Sequence, residues 1–289
     1  MTEPTTGGSK RSSTSYAAAL KTATSADEDA GKRVAAFAGV ARAICDDKEK
    51  LDDVINVLKD TQSPQAVRLA ALRALQSASF SVVKFTPCRP EYLAALRSLI
   101  DDPDPEVRQR VLGILAREQD GYTQQRLLEG LQHPDKALVP PEKALQLLSY
   151  DIHADAYPVA REIVSKPPNP AAKREALRLL AADAASAPKF EEILRDKNEP
   201  LEIRQLSASA LHSLAPKKMQ AYARDIILDD SENDELKTSS LTALTNFGDE
   251  AAVSEDNALQ ETVDTLKDKA SSPDYLKNSA DNFLKKYRK

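Results

Sequence analysis

The chain has 289 residues, a formal net charge of −5 and a sequence pI near 5.5. This charge offers no global attraction to nucleic acid or to anionic lipid, so only a local basic patch could bind either one. Aromatic residues make up 5% of the chain, glycine contributes 8 residues and tryptophan none. That composition favours long helices over a sheet-rich fold.

The first segment, residues 1–13, is rich in Thr, Ser and Gly and is predicted to be disordered. It lacks the apolar core of a signal peptide, and no later stretch reaches the ~18 apolar residues of a membrane span. Two cysteines, Cys45 and Cys88, lie 43 residues apart, which argues against a disulfide framework. We therefore expect a cytoplasmic protein without a membrane segment.

Residues 14–48 are predicted to form capping helices at the start of a repeat array. The run from Val34 to Ile44 is apolar around much of a helix, and Val34 lies 33 residues before Val67, where the first clear repeat begins. Terminal repeats need an atypical outer face, because one side of them contacts solvent.

From residue 49 to 289 a helical pattern returns at a nearly constant interval. Each copy begins with an anchor residue, which is usually apolar and followed by a basic residue. A small residue lies four positions after the anchor, and an apolar residue lies eight positions after it. The anchors are Val67, Val107, Pro140, Ala172, Ile203, Leu236 and Leu276, so successive spacings are 40, 33, 32, 31, 33 and 40 residues, with a degenerate copy at Pro140. Helical periodicity repeated at such intervals is typical of a solenoid.

A further helix is predicted before each anchor, because apolar residues recur there at steps of three and four. These helices cover residues 51–58, 92–100, 124–131, 156–164, 190–194, 219–228 and 259–266. Prolines with Asp, Asn or Ser mark most of the turns inside the hairpins, as expected at helix starts. The sequence therefore predicts an all-α fold, a right-handed α-solenoid of about seven helical hairpins.

Two units are longer than the others, because of insertions at residues 79–90 and 247–257. Insertions in a solenoid often form binding loops on one face. The stretch 225–256 also holds ten carboxylates and one lysine. Solvated helix faces explain such a charge run, and a second binding surface is the alternative.

The sequence Asp-Pro-Glu-Val-Arg, from Asp104 to Arg108, resembles the start of the second helix in HEAT repeats. The short repeats of bilin-lyase-type proteins are the most similar form, and the resemblance covers about residues 49–287. It implies a ladder in which an acidic residue of one turn meets a basic residue of a neighbouring unit. The basic column would consist of Arg68, Arg108, Lys173, Arg204, Lys237 and Lys277. A rung is missing at Pro140 and Pro141, where we expect the stack to bend or loosen.

The resemblance also raises three enzyme classes. Deoxyhypusine hydroxylases bind iron through His-Glu pairs, but His133, His153 and His212 are not followed by Glu. HEAT-type DNA glycosylases use a basic groove with aromatic residues, which are few here. Bilin lyases share the repeat style, and no motif for chromophore chemistry is evident. We predict no catalytic residue, cofactor or metal, and keep a HEAT-type enzyme subunit as an alternative.

Cys88 lies in the first insertion, between prolines and close to Lys84 and Arg89. Neighbouring positive charge favours a reactive thiolate, whereas an inert loop cysteine is the simpler interpretation. Both remain open at the level of sequence.

Positions two, three, six and ten after each anchor are predicted to lie on the concave face. Five arginines at or near these positions are predicted to bind a protein partner with an acidic segment: Arg73, Arg110, Arg117, Arg174 and Arg178. The competing interpretation is an ordinary solvated face that Glu106, Glu118 and Glu175 neutralise.

The predicted function is that of a non-enzymatic scaffold or adaptor, which holds a protein partner along the concave face. A sequence-independent nucleic-acid binder is the alternative outside the enzyme classes. The acidic net charge makes nucleic acid the weaker of the two predicted partners.

Overall fold

The computed structural model describes residues 7–151 and 155–288, with side chains from residue 16 onward. Within these ranges the chain is helical and contains no strand, which confirms the predicted all-α fold of helical hairpins. The chain forms two compact units, Met1–Asp151 and Ile152–Lys289. Their boundary follows directly after the hairpin that lacks a basic residue at its anchor.

The first unit contains four hairpins and one short helix. These are α1 (Gly7–Thr24) with α2 (Ala30–Phe37), α3 (Lys48–Lys59) with α4 (Gln65–Ser79), the short α5 (Val82–Phe85), α6 (Arg89–Arg97) with α7 (Pro105–Arg117), and α8 (Gly121–Gln132) with α9 (Pro141–Leu148). The second helices α2, α4, α7 and α9 pack side by side in this order. The first insertion supplies α5.

The second unit repeats the arrangement. Its helices are α10 (Ala156–Ser165) with α11 (Pro170–Leu180), α12 (Ala187–Arg195) with α13 (Leu201–Leu214), α14 (Pro216–Leu228) with α15 (Asp234–Phe247), the short α16 (Glu250–Ser254), and α17 (Asn257–Asp268) with α18 (Asp274–Tyr287). The second insertion forms α16. Every helix predicted from the periodicity in this unit is present.

The anchor pattern forms the core of the hairpins. In six of the seven copies the anchor and the residues four and eight positions later are at most 6% exposed, as Val67, Ala71 and Leu75 illustrate. The degenerate copy differs, because Pro140 is exposed and caps α9, which begins one residue later. Leu138 is buried just before it.

The helix starts follow the predicted turn chemistry. The Asp104 carboxylate accepts hydrogen bonds from the amides of Glu106 and Val107, and Asn169 accepts one from Ala172. Each of these caps is followed by a proline at the first helical position, where its missing N–H leaves no bond unmade.

Helix α1 begins inside the segment for which disorder was predicted. Residues 7–13, expected to be disordered, are the first turns of α1, while residues 1–6 lie outside the described part of the chain. The Ala-rich segment before Leu20 is a strong helix former, and each residue added to an existing helix costs little.

The apolar run 34–44 is also not one helix. Helix α2 ends at Phe37, and the following amides of Gly39 and Val40 bond to carbonyls three residues earlier. This tighter winding continues as turns to Asp46, with a glycine of low helix propensity near its start.

A buried basic column runs through the hairpins. Arg68 donates from Nε to the Leu58 carbonyl at 2.9 Å and from both terminal nitrogens to the Asp102 carboxylate. The two charged side chains are 3% and 1% exposed. Arg68 thus joins the end of its own first helix to the turn of the following hairpin.

The same geometry recurs in the second unit. Arg204 donates from Nε to the Leu194 carbonyl at 2.9 Å, and its terminal nitrogens lie 2.8 and 2.6 Å from the Glu232 oxygens. Both carbonyls lie in the last turn of a helix, ten residues before the arginine, where helix geometry leaves them without an intrahelical donor. The fixed fork of arginine satisfies the carbonyl and both carboxylate oxygens together.

Other members of the predicted column vary. Arg108 donates to the Leu138 carbonyl at 3.0 Å and to the Asp102 carbonyl at 2.5 Å. Lys173 contacts the two oxygens of Glu199 at 2.5 and 2.7 Å. In the other two copies Lys237 is buried, and Lys277 lies 3.5 Å from the Ala270 carbonyl.

Arg33 extends the column to the N-terminal hairpin. Its Nε donates to the Ala23 carbonyl at 3.2 Å, again ten residues earlier, and Nη2 lies 3.5 Å from Ser63 Oγ. Arg33 therefore corresponds to Arg68, and the predicted alignment of Val34 with Val67 is wrong by two residues. The apolar run after Arg33 obscured this register, because the residue at the anchor position is Lys32.

Asp102→Ala is expected to destabilise the first unit by about 3–5 kcal/mol, because it leaves the Arg68 guanidinium buried without its counter-ion. Urea unfolding followed by circular dichroism measures the change. Glu106→Ala is the matched control, since the Arg110–Glu106 pair is 49% and 44% exposed and removing it should cost under ~0.5 kcal/mol. Equal losses in the two variants would contradict the buried ladder.

Acid should weaken the second unit. Hydrogen bonds from Arg204 hold the pKa of Glu232 below its ordinary value of 4.5. Stabilisation by this carboxylate is therefore complete above that ordinary pKa and is lost as pH falls through the lower, folded value. Glu232→Gln should be less stable than the wild type at neutral pH, and the difference should shrink below about pH 4.

Thermal unfolding across this pH range tests the acid dependence, with the exposed Asp230→Asn as the control. A difference between Glu232→Gln and the wild type that stays constant with pH would show that titration of Glu232 is not involved.

Candidate binding grooves and the arginine surface

The five predicted partner-binding arginines all lie on second helices. Arg73 is on α4, Arg110 and Arg117 are on α7, and Arg174 and Arg178 are on α11. The first three therefore belong to one compact unit and the last two to the other.

Three of these arginines have carboxylate partners. Arg110 Nη2 lies 2.7 Å from Glu106 Oε1, one helical turn away. Glu175 Oε1 lies 2.8 Å from Arg178 Nη1 and 3.7 Å from Arg174 Nε. Local pairs neutralise these side chains, as the competing interpretation of the sequence expected for Glu106 and Glu175.

Arg73 and Arg117 are different. Both are exposed, and no carboxylate of the described residues lies within 4.0 Å of either guanidinium. Arg117 lies 6.0 Å from the centre of the Tyr150 ring. Glu118, which was expected to neutralise this surface, pairs with Arg89 instead.

Arg73 borders a groove between α2 and α4, which we call the α2–α4 groove. It has a volume of about 480 Å³ and is lined by small or apolar residues apart from the arginine: Val34, Phe37, Ala38, Ala41, Ala70, Arg73, Ala74 and Ser77. The α4 residues stand three, six, seven and ten positions after the anchor. Three of these offsets are those predicted for the open face.

A second groove of about 320 Å³, the α13–α15 groove, lies within the second unit. None of the described Asp, Glu, Lys or Arg residues lines it, its exposed surface is mainly apolar although many of its residues are polar, and Met219 of α14 contributes to it. The other lining residues are Gln205, Ala208, Ser209, His212, Ser239, Ser240, Thr242, Ala243, Asn246 and Phe247. Gln205, Ser209 and Thr242 were predicted to lie on the open face.

Phe247 is the principal residue that sequence reasoning missed in this groove. Its ring is 60% exposed and lies 4.5 Å from the His212 ring, centre to centre, at an angle of 54°. The signal was its position at the start of the second insertion, where an aromatic residue does not fit the core pattern.

The first insertion carries another exposed apolar group. Phe80 and Val83 are 85% and 90% exposed, and Val82 between them is also exposed. Phe80 follows the end of α4 directly, and Val82 and Val83 are the first two residues of α5. Large exposed apolar side chains grouped in this way are uncommon on monomeric proteins.

Much of the acidic stretch 225–256 supports the fold. Asp256 caps α17 and pairs with Arg224, and Glu232 pairs with Arg204 of the basic column. Hydrogen bonds from Lys197 and from Ser231 lower the pKa of Asp229. These carboxylates are structural partners, which explains part of the charge run without a second binding surface.

No group of three or more His, Cys, Asp or Glu side chains is placed to hold a metal ion among the described residues; His153 lies outside them. No helix in the described ranges has both the length and the apolar composition needed to cross a membrane.

No family model and no curated protein matches this chain. Solved structures are similar at low identity. One is the complex of CpcE and CpcF of phycocyanin lyase from Nostoc sp., at 16% identity over 92% of this chain and 94% of that chain, with a TM-score of 0.38. Another is an engineered protein, at 14% identity over 97% and 85%, with a TM-score of 0.43.

Human deoxyhypusine hydroxylase in complex with glycerol is also similar, at 16% identity over 83% of this chain and 96% of that chain, with a TM-score of 0.35. Identities and TM-scores this low carry no argument about activity. The family of this chain therefore stays an inference from its own repeats.

Proposed function

We propose that the chain is a HEAT-like repeat protein that acts as a non-enzymatic scaffold or adaptor and binds an acidic segment of a protein partner in the α2–α4 groove. The observation that supports this most is Arg73, an exposed guanidinium without a carboxylate partner among the described residues, at the edge of a groove lined by small apolar side chains. We place the protein in the cytoplasm, where cysteines such as Cys45 and Cys88 are thiols unless an oxidant reaches them.

The groove suits a segment with one apolar side chain next to a carboxylate. The apolar side chain would lie against Ala70, Ala74 and Phe37 and lose its contact with water. The carboxylate would accept charge-assisted hydrogen bonds from the planar fork of Arg73. Few central contacts carry most of the energy of such interfaces, so one arginine is enough to set a preference.

The α13–α15 groove supports the adaptor role with a different chemistry. It offers hydroxyl and amide groups beside the exposed ring of Phe247, without an arginine. Exposed aromatic residues that border a groove are frequent anchors at protein interfaces. A partner that contacts it would respond to the loss of Phe247 and not to charge reversal in the first unit.

The nucleic-acid alternative has less support. Arg110, Arg174 and Arg178 are neutralised by neighbouring carboxylates, and the net charge of the chain is −5. Phosphate binding releases counter-ions in proportion to the number of free cations that make contact. Few unpaired basic side chains remain on this surface, so little free energy from counter-ion release is available to it.

Arg73→Glu should weaken binding of the partner about tenfold or more, because it places like charges in contact. Arg110→Glu is the matched control and should change binding less than about twofold, since Arg110 is already paired and lies outside the groove. A photo-crosslinking residue at Ser77, inside the groove, identifies the partner and its contacting peptide, and the same residue at the exposed Asn56 of α3 controls for random capture.

The proposal requires that the peptide crosslinked through Ser77 contain Asp or Glu, and that replacing this acid by Lys in the partner restore binding to Arg73→Glu. Equal binding by the wild type and Arg73→Glu would overturn it. Nucleic acid crosslinked at Ser77, with affinity falling by orders of magnitude over a fewfold rise in salt, would support the alternative instead.

A further inference from the structure

Two cysteines that are far apart in the sequence meet in the first unit. Cys45 lies in the turn segment between α2 and α3, and Cys88 lies at the end of the 3-10 turn Thr86–Cys88, directly before α6. Burial, and after it the neighbouring Cys88, raise the pKa of Cys45, so the two thiols lie close together. We propose that Cys45 and Cys88 are an oxidisable dithiol, which forms an intrachain disulfide and is the modification site of this protein.

Two ion pairs join the same two segments on either side of the thiols. Lys84 Nζ lies 3.9 Å from Asp46 Oδ1, and Lys48 Nζ lies 3.7 Å from Glu91 Oε1. The segment from Lys84 to Glu91 therefore lies beside residues 46–48, and the approach of the two segments does not depend on one side-chain conformation. Disulfide bonding requires such proximity of the two backbones.

Both cysteines lie in or next to turns, where small movements of the backbone cost little. Cys88 is 9% exposed, close to the edge-to-face pair of Phe85 and Tyr92, whereas Cys45 is half-buried. An oxidant from solvent therefore reaches Cys45 first. Cys88, which lies close to Cys45, is the thiol that resolves the product.

Burial, and after it the neighbouring Cys88, raise the pKa of Cys45 to about 12. The reduced form of this pair is consequently not stabilised by a thiolate. In strongly oxidising dithiols, by contrast, a stabilised thiolate favours the reduced form. A neutral disulfide suits the same surroundings. We expect oxidation that is slow, since little thiolate is present, and a disulfide that resists reduction.

A small disulfide such as oxidised glutathione oxidises the pair in two exchange steps. The Cys45 thiolate attacks one sulfur, forms a mixed disulfide and releases one glutathione thiolate. The Cys88 sulfur then attacks Cys45, the mixed bond breaks, and the second glutathione thiolate leaves. The two protein thiols lose two electrons and two protons, and the two glutathione molecules gain them.

The disulfide would close a covalent loop that contains α3 and α4, the first full hairpin of the array. A crosslink of this kind restricts the unfolded chain far more than the folded one. Oxidation should therefore move the urea midpoint of the first unit upward, a change that the thiols alone do not produce.

The test incubates the folded, full-length protein with oxidised glutathione and compares it with the reduced protein. The expected product has lost two hydrogen atoms in its intact mass, yields a peptide that links Cys45 to Cys88, and unfolds at higher urea. Cys88→Ser should retain glutathione on Cys45, because no resolving thiol remains, and circular dichroism checks that this variant is folded.

Cys88→Ala serves as a second variant and should trap the same adduct. The proposal is overturned if both thiols of the folded wild type stay available to an alkylating reagent after incubation, if each keeps its own glutathione, or if disulfides form only between molecules.

Discussion

The hairpins depend on the contacts of the basic side chain that follows six of the seven anchors by one residue. In Arg68 and Arg204 it bonds a helix-end carbonyl of its own hairpin and the carboxylate of the following turn. Burying such a pair adds little net stability, because desolvation offsets the attraction. The pair instead fixes the register between successive hairpins, since a hairpin that slipped would leave both charges buried and unpaired.

These ion pairs also determine which basic side chains stay available on the surface. The chain holds 40 basic and 45 acidic side chains, and many of them meet across the hairpins or along one helix. Arginines at the same helical offset consequently differ in their surroundings: Arg178, six positions after its anchor, is paired with Glu175 of its own helix, whereas Arg73, also six positions after its anchor, borders the α2–α4 groove. The α2–α4 groove, where we propose that a partner binds, thus lies beside an arginine that no carboxylate of the described residues neutralises.

The helices could be predicted from the sequence because periodicity and proline turns are local signals. The start of α1, the end of α2 and the register of Arg33 could not, since they depend on competition between helix propensity and packing. Pairing of the exposed arginines depends on rotamers of neighbouring residues. The meeting of Cys45 with Cys88 depends on how an insertion packs, and no repeat pattern encodes that.

The ladder has a direction along the chain. Arg33, Arg68 and Arg204 each find their side-chain acceptor in the hairpin that follows, 28 to 34 residues later. During synthesis, therefore, each of these three hairpins is completed with a basic side chain whose acceptor lies in the hairpin that is made next. A fragment that ends after α4 leaves the Arg68 guanidinium without its carboxylate acceptor. A fragment that starts at α6 keeps the hydrogen bond from the Asp104 amide to the Asp102 carboxylate. The array should consequently tolerate loss of its first hairpins better than loss of its last.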